Sequence, residues 1–192
     1  MTRVNISIIL LLILGFTCKK ESAKTFFFIY EENRFGNKRY FKIEKQIDIN
    51  GHETRLYHDH LDRNFISSET PRKVLFKKNK NTLSYLFYQF PINRNKIDAC
   101  HTYKHYIQEN SPPFVYKICL IRNIQDTVIN NRTIRNASLY KLTSLDNRVH
   151  NTNLNLIFDW NLEILIEEQS IESNIKLMKI DSTAPNNRYR TK

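Results

Sequence analysis

Apolar and polar residues alternate along most of this chain, and a period of two predicts strands. Residues 25–31 form one apolar strand. In residues 40–49, Phe41, Ile43, Ile47 and Ile49 share one face, interrupted by Lys45, while Tyr40, Lys42, Glu44, Gln46 and Asp48 take the other. Asn50-Gly51 follows as a hairpin turn, with residues 52–58 as the returning strand. Residues 74–77 and 83–90 flank Lys78-Asn79-Lys80-Asn81 as a second hairpin. Tyr85 with Phe87, and Leu86 with Tyr88, put apolar side chains on both faces of the strand 83–90, which predicts burial on both sides. Further strands are expected at 114–122, 139–142 and 175–180. The clearest is 158–167, where Phe158, Trp160, Leu162, Ile164 and Ile166 face the core and Asp159, Asn161, Glu163, Leu165 and Glu167 face away.

One stretch has helical spacing instead. Ile97, Cys100, Tyr103, Tyr106 and Ile107 recur at that period, and Ser111-Pro112-Pro113 ends the segment. Residues 124–136 and 146–155 read as polar loops. The expected architecture is mainly β, with α+β as the alternative: one antiparallel β-rich domain over residues 25–181, a sandwich or an open sheet against a helix, with about one helix and a basic disordered tail at 182–192.

The N-terminus has a different organisation. Met1-Thr2-Arg3 is positively charged, residues 8–14 are unbroken Ile and Leu, and Gly15 and Thr17 lead to Cys18. This is the layout of a secretory signal peptide over residues 1–17, with an apolar core far below the roughly 20 residues that span a bilayer. The run ending in Cys18-Lys19-Lys20-Glu21 resembles a bacterial lipoprotein signal, specifically the relaxed type of the Bacteroidetes, with Gly15 and Thr17 at the positions that the usual box gives to Leu and a small residue. The resemblance implies that Cys18 is diacylated through sulfur and becomes residue one, followed by a linker to residue 24. The partner it implies is a membrane, reached through the lipid. The two lysines after Cys18 favour the periplasmic side over the cell surface.

Export changes the reading of charge and cysteines. The net charge is +11, with clusters at Arg72, Lys73, Lys77, Lys78 and Lys80 and at Arg188, Arg190 and Lys192. An export signal argues against nucleic acid as partner, which leaves a basic surface beside an anionic membrane. With Cys18 lipidated, Cys100 and Cys119 remain as a pair in an oxidising compartment, and a disulfide between them is expected.

Candidate chemistry is sparse. His58 and His60 alternate at a strand end beside Asp59 and Asp62, and His101 and His105 share a face of the expected helix. Four such imidazoles are a possible zinc set. The string from His58 resembles the H-x-H-x-D-H motif of the metallo-β-lactamase fold, but Arg63 occupies the last His position. Thr102 stands where H-E-x-x-H needs Glu. No metal or other cofactor is therefore expected, and the chain leans away from enzymes. No phosphate-cradling Gly loop or G-x-S-x-G is present, in a chain with 3 Gly.

Asn131 and Asn136 each open a glycosylation sequon. Three functions follow from different classes. The leading one is a lipid-anchored envelope protein that binds a partner as an inhibitor, immunity or accessory module. The alternatives are a metal-dependent envelope hydrolase using His58, His60, His101 and His105, and a eukaryotic secreted glycoprotein.

Overall fold

A computed structural model describes residues 23–106, 111–125, 127–129, 132–146, 148 and 153–183. Every regular element among them is a strand: β1 (Lys24–Arg34), β2 (Asn37–Ile47), β3 (Glu53–His58), β4 (Arg72–Lys73), β5 (Phe76–Lys78), β6 (Thr82–Tyr85), β7 (Tyr88–Pro91), β8 (Cys100–His105), β9 (Phe114–Ile124), β10 (Thr127–Ile129), β11 (Arg132–Ile134), β12 (Ala137–Ser144), β13 (Asn153–Asp159), β14 (Ile164–Gln169) and β15 (Ser173–Thr183). Ten of these strands make one antiparallel sheet in the order β4-β3-β2-β1-β15-β14-β13-β12-β9-β8. β5, β6 and β7 form a three-stranded flap, and β10 pairs with β11 alone.

The tight turns follow from local chemistry. β1 reverses into β2 through Phe35-Gly36, where both residues have positive φ (50° and 81°), the conformation that matches strand twist in a two-residue hairpin. The Asn50-Gly51 turn is present. Gly51 sits at φ 81°, and the Asp48 carboxylate accepts the amides of Asn50 and His52, each at 2.8 Å. The hairpin around residues 79–81 also forms, with the Asn79 amide donating to the Thr82 carbonyl at 2.8 Å.

Four expectations need correction. Residues 83–90 are two strands, because the chain reverses at Leu86-Phe87 and pairs Tyr85 with Tyr88. Leu86 takes φ 55°, a region a branched side chain adopts only under tertiary constraint; its amide is held by the Leu75 carbonyl at 3.0 Å. The expected helix is absent among the described residues: Cys100–His105 is β8, with His105 opposite Phe114 and Cys100 opposite Cys119. Helical spacing there was coincidental, since β pairing puts Cys100 and Tyr103 on opposite faces. The loop at 124–136 contains the β10–β11 hairpin. Finally, 158–167 is broken by a turn at Trp160–Glu163. Asp159 accepts the amides of Asn161 (2.8 Å) and Leu162 (3.1 Å), which stops β13, and β14 starts after four intervening residues. Phe158, Ile164 and Ile166 are buried as expected, but Trp160 and Leu162 are only half-buried. β15 continues to Thr183; the remainder of the expected tail, like the signal segment and Cys18, lies outside the described residues.

The flap packs on one half of the sheet. Leu83, Tyr85, Tyr88 and Phe90 meet Tyr103, Ile118, Leu120, Tyr140, Leu156, Phe158 and Leu165 in the main core. A second cluster surrounds Phe28, Tyr30, Phe41 and Ile43, and Leu86 at the flap tip touches both.

The structure pairs Cys100 with Cys119 in a disulfide across neighbouring strands, with Cα atoms 4.0 Å apart. The bridge thus ties β8, an edge strand, to β9, rather than a helix to a strand. Reduction is expected to lower stability by about 3 kcal/mol on the chain-entropy model. Urea unfolding with and without reductant measures it; indistinguishable curves, or two free thiols in unreduced protein, would contradict the bridge.

Candidate functional site

Residues directly opposite each other in an antiparallel sheet point to the same face. Following the register from β2 gives one row across seven strands: Arg39, Glu32, Ile175, Glu168, Leu156, Tyr140 and Leu120. Its second half is apolar and lies beneath the flap. Its first half holds Arg39, Glu32 and Glu168 around Ile175, and the flap's Tyr88 reaches it at Glu168. Between the flap tip and this half of the sheet lies an open cleft of about 670 Å³.

The cleft has an aromatic wall and charged edges. Tyr30 and Phe41 stack with ring centroids 4.8 Å apart, and Tyr57 lies 5.2 Å from Phe41. Val74, Leu75, Leu86 and Phe87 of the flap side line the mouth, where Leu75 and Phe87 are exposed. His105, on the facing edge strand, lies against Phe87 at 6.1 Å between ring centroids. Arg39 pairs with Glu32 and lies 3.8 Å from Asp59, and Arg72 reaches Asp59 at 3.3 Å. The neighbouring Asp59 carboxylate and burial push the Tyr57 hydroxyl up to about 12, burial being the larger cause.

Glu168 is placed by a β-bulge. The pairing of β13 with β14 shifts so that Leu165 opposes Phe158 while Glu168 opposes Leu156. Leu165 and Glu168, three apart in sequence, therefore share the inner face, although strict alternation separates them. Leu165 is core rather than solvent-facing, a correction to the alternation reading. Glu168 is 8% exposed, and Tyr88 donates to its carboxylate at 2.6 Å. Burial holds the Glu168 carboxyl above its ordinary value; Glu32 adds to the effect and the Tyr88 hydrogen bond opposes it.

A carboxyl raised in the fold stays protonated where the unfolded chain has released its proton. Stability should then fall as pH rises from the ordinary value near 4.5 through the folded one. Glu168→Gln removes that term. The variant is expected to melt above the wild type at pH 7, with the gap closing by about pH 4. Melting curves at the two pH values check this; a gap that widens on acidification would contradict it.

One side chain ties the flap to the sheet. Arg55 of β3 is fully buried, its guanidinium 3.7 Å from the centre of the Phe76 ring and 5.1 Å from that of Tyr85. It bonds Glu53 and the Glu163 carbonyl, and Lys78 of the flap reaches the Glu163 carboxylate at 2.8 Å.

The sequence-predicted histidines do not converge. His58 bonds Glu44 at 2.8 Å at the end of β3. His60 lies in the following turn, 3.9 Å from both Asp59 and Glu69. His101 approaches Gln89 at 3.3 Å, and burial lowers its pKa. No group of three or more His, Cys, Asp or Glu among the described residues is arranged to hold a metal. Of the two sequon asparagines, Asn131 lies outside the described residues. Asn136 is engaged: its amide nitrogen donates to Asn161 at 2.9 Å and its oxygen accepts from Arg94. Cys100 and Cys119 lie on the face opposite His101 and Tyr103, away from the cleft. No sequence signal marked Glu168, Glu32 or Tyr88 as neighbours.

No known family model matches the chain, and no curated protein matches it. Among solved structures, MucB in complex with MucA(peri), the Pseudomonas aeruginosa MucA/MucB complex, and MucB alone each show a TM-score of 0.42 and 11% identity. They cover 85%, 85% and 88% of this chain, and 52%, 54% and 56% of the matched chains. The chain thus spans about half the length of those structures. A likeness of this degree establishes neither a family nor a function.

Proposed function

We propose that this protein is an exported, lipid-anchored binding module of the cell envelope, and that the cleft beside the flap holds its ligand. The observation that carries this is the cleft itself: a concavity within the size range of ligand pockets, walled by aromatic and aliphatic side chains, with a few converging polar groups. The absence of a convergent histidine set among the described residues gives the hydrolase alternative no support. The anchor rests on the N-terminal pattern ending in Cys18. Two acyl chains on that sulfur-linked group suffice for stable attachment, since each buried methylene contributes about 0.8 kcal/mol.

Two mass measurements on protein isolated from the envelope of the producing cell test the two halves separately. Denatured intact mass should show loss of residues 1–17 and gain of acyl groups on Cys18; a mature form lacking Cys18, or without lipid, removes the anchor. Native mass should show a noncovalently bound molecule. Bare protein mass in every preparation would count against a ligand-binding cleft.

A further inference from the structure

We infer that the cleft accepts a ligand's cationic group, a primary ammonium or a guanidinium carried on an apolar body, against the buried carboxylate of Glu168. This deepens the binding-module reading and rests on it. Buried charges in proteins are paired, because an isolated one is costly to desolvate. Glu168 breaks that pattern. It is 8% exposed, its hydrogen bond comes from the neutral hydroxyl of Tyr88, and the nearest charge across the row is a second carboxylate, Glu32.

The cations nearby are committed or peripheral. Arg39 is held by Glu32 and Asp59, and Arg72 by Asp59. Arg34 and Lys73 are exposed at the rim, as is Glu172. Arg39 neutralises Glu32, so the carboxylate at the deep end without a cationic partner among the described residues is Glu168. Ile175 is the neighbour of Glu168 in the row and lines the cleft, so a cation seated over it can approach the Glu168 carboxylate.

One further feature suits such a group. Tyr57, half-buried in the cleft wall beside Phe41, offers apolar contact to the body that carries the cation. An anionic ligand at the same depth would face the like charge of Glu168. A neutral hydroxyl would return a hydrogen bond to Glu168 without the opposite charge, and a purely apolar group would return none.

The test uses three probes of one shape and different charge: 3-phenylpropylamine, 3-phenylpropanol and 3-phenylpropionate. Each is titrated into isotope-labelled protein and followed by NMR at cleft amides and at the Glu168 side-chain carboxyl carbon. The amine should bind at least about tenfold tighter than the alcohol, the value of a charge-assisted hydrogen bond. It alone should move the Glu168 carboxyl resonance. Glu168→Gln should abolish most of that preference. Alcohol or propionate binding in the cleft as tightly as the amine overturns the cation assignment and leaves the binding cleft standing. So does an amine preference that survives in Glu168→Gln. If no probe perturbs cleft resonances, the cleft reading fails and the inference with it.

Discussion

Replacing Arg55 by alanine is expected to destabilise the protein by about 3 kcal/mol and to loosen the flap before the sheet. The guanidinium lies buried against the Phe76 ring and beside Tyr85, so truncation removes packing as well as charge. It also strips the Glu163 carbonyl of its donor and leaves Glu53 with Lys45 as its remaining ion partner, at 2.9 Å. Arg55→Lys should recover only part of the loss, because an ammonium cannot stack in plane on Phe76 or reach two acceptors as a fork. Hydrogen exchange provides the regional readout. Amides of β5, β6 and β7 should exchange faster in Arg55→Ala while those of β1 and β2 keep their protection. Loss within about 0.5 kcal/mol of wild type, the range of an ordinary surface change, would mean that Arg55 is not the tie between the layers.

Phe158→Ala should cost about 3–5 kcal/mol, and Trp160→Ala clearly less, roughly 1–2 kcal/mol. The larger ring is the lesser loss because of where each one sits. Phe158 is wholly buried, in contact with Phe90 at 4.5 Å and with Tyr85 and Trp160 at 5.7 and 5.1 Å between ring centroids. Trp160 is half-buried at the start of the turn, its indole nitrogen donating to Ser138 at 3.2 Å and Arg94 lying 5.1 Å from its ring centre. Urea unfolding of the two variants gives the order directly. A larger loss at Trp160 would show that the segment runs on as an unbroken strand.

That ordering also marks how far the sequence could be read. Alternation identified Phe41, Ile43, Phe158, Ile164 and Ile166 as core, and each is buried. Asn50-Gly51 marked a real turn because glycine carries the positive φ that the turn requires. Leu86-Phe87 was invisible for the converse reason: a turn held by tertiary contacts, with a leucine at φ 55°, has no turn residue to announce it. The turn at Trp160–Glu163 did carry a signal in Asp159 and Asn161. It was masked because four inserted residues preserve a period of two. β8 shows the opposite ambiguity: a segment of six residues carries too few apolar positions to separate a period of 2 from one of 3.6, and only its partner β9 decides.

The cleft was less legible than the fold. Glu32, Glu168 and Tyr88 come from β1, β14 and β7, far apart in the chain, and meet through register and a bulge. A bulge adds one residue to one strand and leaves no fixed composition behind. The histidine pairs show the reverse. Their spacing was conspicuous, yet His58 is engaged with Glu44 and His101 with Gln89, on different strands and without a common centre.

Binding in the cleft is tested most directly by filling it. Ile175 is half-buried between Glu32 and Glu168 and lines the cleft, so Ile175→Trp places an indole where the ligand would sit. Ile171→Ala, at a side chain 98% exposed, serves as the control. Native mass spectra of wild type and both variants, isolated from the same envelope, should show a bound molecule on wild type and Ile171→Ala and bare mass for a folded Ile175→Trp. Retention of the same bound mass by Ile175→Trp would contradict the cleft as the ligand site.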